Sequence, residues 1–299
     1  MTLSQASERL IIIAMVGYVL ALLLHSIEWA SARGLAPERP EDGSEDRARE
    51  RVDLFGRLGV ALTSIAALTH VVGVVTRGIA ADRWPWGNMY EFVTTALACI
   101  TVIYLISVWR LSARWLGLGV TLLQTIGLGL AVTVFYVDVA PLVPALHSVW
   151  FAIHIIAAAV AGAAFNIGAI ASILFLLRRR VEDRGGAIKG YLARIPTSKR
   201  LDLFSYRLHA FAFPLWTFAI AAGAIWAQYA WGRFWNWDPK ETWSFVTWVV
   251  YAAYLHARAT AGWKGRPAAV IALVGVVMFW FNFVGVNLLM EGLHSYSGI

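Results

Sequence analysis

Eight apolar stretches run along the chain, near residues 9–29, 57–80, 90–109, 115–137, 149–177, 208–230, 243–262 and 268–290. Each approaches the roughly 20 residues that a transmembrane α-helix needs. Lipid offers no water to backbone N–H and C=O groups, so runs of this length predict helices. There is no internal repeat, and no period-two alternation of the kind a barrel would need. The pattern predicts an all-α fold: one polytopic membrane domain over residues 1–299, a bundle of about eight transmembrane helices. No small-residue cleavage site clearly follows the first run, so it is expected to stay as a helix.

Between the runs, charge is distributed unevenly. Of the 25 Lys and Arg residues, 20 fall in one set of alternate connections, chiefly the loops 30–56 and 178–207. The other set holds only Arg9, Arg77, Arg83, Arg233 and Lys240. The positive-inside rule makes the first set cytoplasmic, and it puts both termini and the turn 231–243 outside. The stretch P-E-R-P-E-D-G-S-E-D-R-A-R-E-R (37–51) reads as polar linker, and R178-R-R-V-E-D-R-G-G as a stop-transfer anchor.

Composition agrees with a bilayer protein. The chain is 59% hydrophobic and 14% charged, against about 25% charged in soluble domains, and its mean hydropathy is +0.64. The net charge of +7 follows topology instead of forming a stripe, which argues against nucleic acid. Cys99, the single cysteine, excludes a disulfide framework and a CxxC pair.

The turn W231-G-R-F-W-N-W-D-P-K-E-T-W243 carries the densest aromatic cluster. Asp238-Pro239-Lys240-Glu241 reads as a helix start, with an Asp N-cap, Pro at the first position and Glu closing a capping box. Tryptophan is common at membrane interfaces, so an interfacial belt is one reading. The other is a platform: Trp231, Trp235 and Trp237 fall close together, with Arg233 and Lys240 among them, which suits a flat ring system bearing carboxylates. A second outward turn, R83-W-P-W-G-N-M-Y-E91, repeats the theme, with Asn88 and Glu91 as cap and third-position partner.

Ionisable residues within spans are functional candidates. His154, near the outer start of the fifth span, and His294, after the last, share the level of the tryptophan turn. Two neutral imidazoles there could ligate one iron from opposite faces. The run A157-A-A-V-A-G-A-A164 either lets helices approach or leaves room beside them. His256 lies roughly 20 Å deeper by helix rise. His25 and His70 are buried candidates at inner and middle depth, His209 is expected at the cytoplasmic mouth of its span, and His147 in a loop.

W231-G-R-F-W-N-W-D238 resembles the tryptophan-rich WWD signature of haem-handling proteins in cytochrome c maturation. With G87-N-M-Y-E-F92, L142-V-P-A-L146, W150-F-A-I-H154 and G292-L-H-S-Y296, the chain resembles the CcsA/ResC family of system II cytochrome c biogenesis, labelled CcsB in some lineages. That resemblance implies haem b as bound ligand and substrate, and haem export and attachment as part of a cytochrome c synthase (haem lyase) complex. The implied partners are a ResB/CcsB-type membrane subunit, apocytochrome c with its CxxCH motif and, indirectly, a thioredoxin-like thiol reductant. It implies the bacterial cytoplasmic membrane, with the site on the extracytoplasmic side. Residue by residue, His154 and His294 fall on the outer haem ligands. His256 falls on the transmembrane histidine that receives haem from the inner side, its second ligand being His25, His70 or a partner residue. Gly232, Trp231, Arg233, Trp235, Trp237 and Asp238 fall in the signature. The rival readings are a haem transporter or chaperone that forms no thioether bond, a b-type electron-transfer protein, and a structural subunit with a heavy aromatic belt.

Overall fold

Four of the helices begin on a side chain that accepts a free backbone N–H of the first turn. The computed structural model describes residues 2–36, 40, 43 and 45–294. Part of the 37–51 linker, and Ser295 and Tyr296 of the C-terminal motif, lie outside the described residues. The helices are α1 (Leu3–Ser31), α2 (Asp46–Ala81), α3 (Met89–Leu111), α4 (Gly117–Thr133), α5 (Val149–Asp183), α6 (Tyr191–Arg194), α7 (Ser198–Trp231), α8 (Pro239–Ala259), α9 (Arg266–Trp280) and α10 (Val286–Leu289). A π-turn, Phe281–Gly285, joins α9 to α10. Thr2 with Gln5 and Asp238 with Glu241 form complete capping boxes, while Asn88 and Ser148 cap α3 and α5. There is no strand among the described residues.

The two long polar connections are shorter than the apolar pattern predicts. Helix α2 starts at Asp46, inside the expected loop 30–56; α5 runs to Asp183 and α7 starts at Ser198, inside 178–207. Hydropathy stops at the lipid boundary, but helical hydrogen bonding does not. Pairs at i,i+4 sustain helix there: Arg178–Glu182 at 3.0 Å and Arg179–Asp183 at 2.8 Å.

Among the described residues, seven helical stretches are long and apolar enough to cross a membrane. The eighth expected span, α8, is not among them, because it carries Lys240, Glu241, His256 and Arg258 beside many aromatic rings. It nevertheless packs on α7 between Asp202 and Thr217: Arg258 pairs with Asp202 at 2.8 Å, Trp248 donates to Thr217 at 2.9 Å and Trp216 to Ser244 O at 3.2 Å.

Helix α5 sits at the centre, packing on α3, α4, α7 and α9. Its small residues give the close approach expected of them: a side chain at Gly162 would start 2.5 Å from Phe279 Cζ, and one at Gly168 2.5 Å from the His209 ring. On one side lies a core built on α1–α4, with Tyr18, Leu97 and Leu128; on the other a core of α5 and α7–α9, with Phe165, Trp216 and Tyr251. Phe165 stacks on Tyr251 at 3.9 Å with planes 1° apart.

Candidate functional site: an aromatic cavity with two anchored histidines

A cavity of about 170 Å³ opens at the end of the bundle where α5 begins and α7 ends. Trp86, Phe151, Trp216, Trp226, Trp235, Phe279 and Phe283 supply most of its wall, and both His154 and His294 line it. Helices α5 and α7 bring His154 in, while the segment after α10 returns His294 to the same chamber.

Both imidazoles are held through Nδ1. His154 Nδ1 donates to the Ala219 carbonyl at 2.7 Å, a contact that needs Gly223 one turn on: a Cβ there would lie 2.8 Å from that nitrogen. His294 Nδ1 meets Asp238 Oδ1 at 2.8 Å. An acceptor on Nδ1 fixes the proton there in a neutral imidazole and leaves Nε2 with its lone pair, the tautomer a metal takes. Trp226 packs beside both rings, nearly parallel to His154 (centroids 6.1 Å, planes 19°) and edge-on to His294 (5.5 Å, 69°). Its own Nε1–H donates to Ala145 O at 2.7 Å, which fixes the indole.

Asp238 does two jobs. It caps α8 by accepting from Lys240 N at 3.1 Å, and Glu241 returns the favour by accepting from Asp238 N at 3.1 Å. Its other oxygen accepts from Leu293 N at 2.7 Å. Gly292 is what lets that segment lie so close, since a Cβ there would fall 2.5 Å from Asp238 Oδ2. Burial works against the charged carboxylate, but the His294 hydrogen bond, with the Leu293 and Lys240 N–H groups, outweighs it and holds the carboxyl below its usual range.

The other residues singled out from sequence divide. Trp235 lines the cavity, and Trp231 packs on both Trp226 and His294 at 4.8 Å. Trp237 lies outside the cavity lining, 65% exposed, its backbone in the left-handed region at φ 59°. Arg233 sits 5.9 Å over Trp231 and 3.6 Å from Glu241 Oε1, behind the wall and not in it. Gly232 ends α7 at φ 72° with open space where a side chain would go, so its contribution is the turn. His256 is exposed on the last turn of α8, far from the cavity.

Three sequence-based expectations change. His209 is not interfacial: it is fully buried against Phe165, Tyr251 and Tyr254, because Gly168 admits its ring. Asn88 caps α3, but Glu91 does not close the box; its carboxylate turns to Arg77 Nε at 3.0 Å, Arg83 at 2.6 Å and Gly87 N at 2.8 Å. His25 and His70 are enclosed among α1–α4, whereas His256 projects from α8 on the other side of α5, so neither pairs with it within this chain.

Trp226, Ala219, Gly223 and Asn282 were not legible as site residues. Asn282, on the π-turn, lines the cavity with a buried Oδ1 that has no partner. A polar residue inside an apolar run is a recognisable signal. Trp226 gives none, since a tryptophan in such a run reads equally well as lipid-facing.

The family model described as "Cytochrome C assembly protein" matches residues 86–294. Among relatives, the cytochrome c biogenesis protein CcsA of Mesostigma viride is 34% identical over 270 residues, covering 82% of this chain and 87% of its own. CcsA of Picosynechococcus sp. is 33% identical over 303 residues, covering 81% and 88%. Among solved structures, the cytochrome c haem lyase CcmF matches 98% of this chain with a TM-score of 0.67, at 15% identity. The match takes in 48% of the CcmF chain, and at that identity it carries the fold alone.

Proposed function

The chain belongs to the CcsA family of cytochrome c assembly proteins, and from that premise we propose that it holds haem at the outer membrane face and presents it for attachment to apocytochrome c. It is an integral membrane protein with a role in cytochrome c maturation. In the finer reading, His154 and His294 supply Nε2 to the iron, the tryptophan walls, with Trp235 of the WWD motif, take the porphyrin faces, and Trp231 backs Trp226 and His294. Lys240, which lines the cavity, is placed to pair with a propionate. One observation carries this reading: two histidines in one aromatic cavity, each with Nδ1 held by an acceptor and Nε2 left as a ligand.

Haem bound there is substrate. The protein's own contribution is positioning and control of the iron's axial bonds. Each thioether forms when a cysteine thiol of the apocytochrome CxxCH segment adds across a haem vinyl group. A C–S bond is made, and the thiol proton ends on the neighbouring vinyl carbon. The segment's own histidine then replaces one of the chain's ligands, which releases the product. The addition needs reduced thiols, hence a thioredoxin-like reductant upstream, and a ResB/CcsB-type subunit completes the complex. The topology proposed with it has eight crossings, both termini outside, the cavity extracytoplasmic and the membrane that of the bacterial cytoplasm. His256 takes haem from the inner side, with a partner residue as second ligand.

The deciding experiment is an absorption spectrum of the purified protein, alone and with its partner. Six-coordinate low-spin haem, lost in His154→Ala and His294→Ala and partly restored by imidazole, is the expected result. Colourless protein, or wild-type spectra in both variants, would remove the assignment. Covalent haem on a co-expressed reporter cytochrome separates synthesis from delivery alone.

A further inference from the structure

Helices α1, α2 and α4 take no part in the cavity, and α3 reaches it only with its first turn. Helices α1–α4 pack on one another and on α5, and their interior is not wholly apolar. At the end away from the cavity, Glu28 is buried between His25 Nδ1 at 3.1 Å and Arg114 Nε at 3.3 Å, and Arg114 reaches the half-exposed Asp53 at 3.0 Å. In the middle, buried Tyr18 meets His70 Nδ1 at 3.4 Å and Thr101 Oγ1 at 3.3 Å. At the cavity end, Glu91 is buried between Arg77 and Arg83.

The gaps between these clusters hold polar groups as well. A side chain on Gly117 would start 2.5 Å from His25 Nε2 and 2.8 Å from the Tyr104 hydroxyl, so both atoms face one slot that this glycine keeps open. Buried Thr63 and Thr121 stand one turn beyond the two glycines that flank His25. Thr94 lies beside His70 and donates to the Glu91 carbonyl at 3.0 Å. Along α2, the rise from Gly59, against His25, to Arg77 is about 27 Å at 1.5 Å per residue, close to the roughly 30 Å of bilayer hydrocarbon.

Four buried side-chain atoms on this column have no hydrogen-bond partner: His25 Nε2, Tyr90 OH, Tyr104 OH and Gln124 Oε1. All four residues are almost fully enclosed. Orphaned polar atoms are costly and rare, and water is their usual partner. Ionisable groups inside a membrane mark ion or proton paths. Packing alone would have been served by apolar residues at these positions.

We propose that the interior of α1–α4 conducts protons between the two ends of the bundle, through His25, Tyr104, Tyr18 and His70 and the waters that bridge them. A neutral imidazole accepts a proton on one nitrogen and releases one from the other, so each transfer leaves the ring neutral in the opposite tautomer. Rotation of the hydroxyls and waters resets the chain. The buried Glu28 cluster lies at one end of this path and the Glu91 cluster at the other. No redox partner is needed, and the inference does not depend on the haem site across α5.

The test uses full-length protein in vesicles of phosphatidylcholine and phosphatidylglycerol, with a trapped pH dye and a valinomycin-driven potassium gradient. Internal pH should change at least tenfold faster than in empty vesicles, and His70→Leu and Tyr104→Phe should each return it most of the way to the empty rate. Tyr104→Phe keeps the ring and removes only an unpartnered hydroxyl, so its fold, checked by helical content and thermal unfolding, is expected to match the wild type. A wild-type rate equal to that of empty vesicles overturns the proposal. So does wild-type conduction in Tyr104→Phe and His70→Leu.

Discussion

His294 and Asp238 stand 56 positions apart in the chain and share a hydrogen bond of 2.8 Å, Nδ1 to Oδ1. The same carboxylate starts α8 and receives the Leu293 N–H. The helix cap and the orientation of His294 are therefore one structure. Whatever moves the start of α8 moves the imidazole.

Substitution at Asp238 separates the two roles. Asn caps nearly as well as Asp, whereas Ala loses about 1 kcal/mol of cap energy. Asp238→Asn is expected to accumulate and unfold like the wild type. Its haem retention should fall by about 10- to 100-fold, the usual effect of losing a metal ligand's charged partner. Haem per folded protein is the measurement; a ratio equal to wild type leaves Asp238 with its structural role only.

Acid provides a second handle on this pair. The Asp238 carboxyl is held below its ordinary range in the folded protein. A depressed folded value means that its stabilisation is complete above the unfolded pKa, about 3.9. It is lost as pH falls through the lower folded value. The difference in unfolding midpoint between wild type and Asp238→Ala should stay constant from pH 7 to about 5 and shrink only near and below the unfolded value. A difference that vanished between pH 7 and 5 would contradict it.

Much of this architecture is legible from sequence, for identifiable reasons. Length and hydropathy report burial in lipid, so seven of the eight expected spans appear among the described residues as helices long and apolar enough to cross a membrane, and the Asp238 box follows from local chemistry that needs no tertiary structure. Where side chains point is set by packing between helices distant in sequence, which periodicity does not encode. Trp237 and Trp231 are equivalent in the string, yet one faces solvent while the other packs on His294. Glu91 satisfies the capping rule but finds two arginines, and a buried carboxylate gains more from two cations than from one N–H.

Gly223 gives a test of His154 that leaves the ligand in place. Gly→Ala within a helix ordinarily stabilises by about 1 kcal/mol. Here the new methyl would meet His154 Nδ1 at 2.8 Å and push the ring off the Ala219 carbonyl. Gly223→Ala should therefore keep or raise helical content while lowering haem loading severalfold, and added imidazole should recover part of it. Unchanged loading in the folded variant would show that the anchored orientation of His154 is immaterial.

The Glu91 cluster is expected to be structural. Arg77 is 2% exposed and Glu91 fully enclosed, while Arg77 and Arg83 also donate to Val137 O and Ala140 O, tying down the segment after α4. Glu91→Gln leaves two cations facing a neutral amide, a loss of about 3–5 kcal/mol for a broken buried pair. Membrane accumulation should drop steeply, with haem per surviving molecule near normal. Normal accumulation together with lost haem would instead place Glu91 in the functional site.

His256 makes the sharpest separation of function from folding. It is exposed on the last turn of α8, at the Arg258–Asp202 end of the bundle, with the cap at Asp238 and the cavity at the other end of the same helix. Eighteen residues of helix separate it from that cap, about 27 Å of rise, more than one porphyrin bridges. An exposed side chain contributes little packing, so His256→Ala should leave accumulation and thermal unfolding unchanged, with any effect within about 0.5 kcal/mol. If His256 receives haem from the inner side, the outer cavity is filled through it, and haem at His154 and His294 should fall along with it. Imidazole added to the variant should then restore part of the loading. Normal haem per molecule in His256→Ala, at normal protein level, would mean that the outer site fills by another route, and His256 would lose its assignment as a ligand.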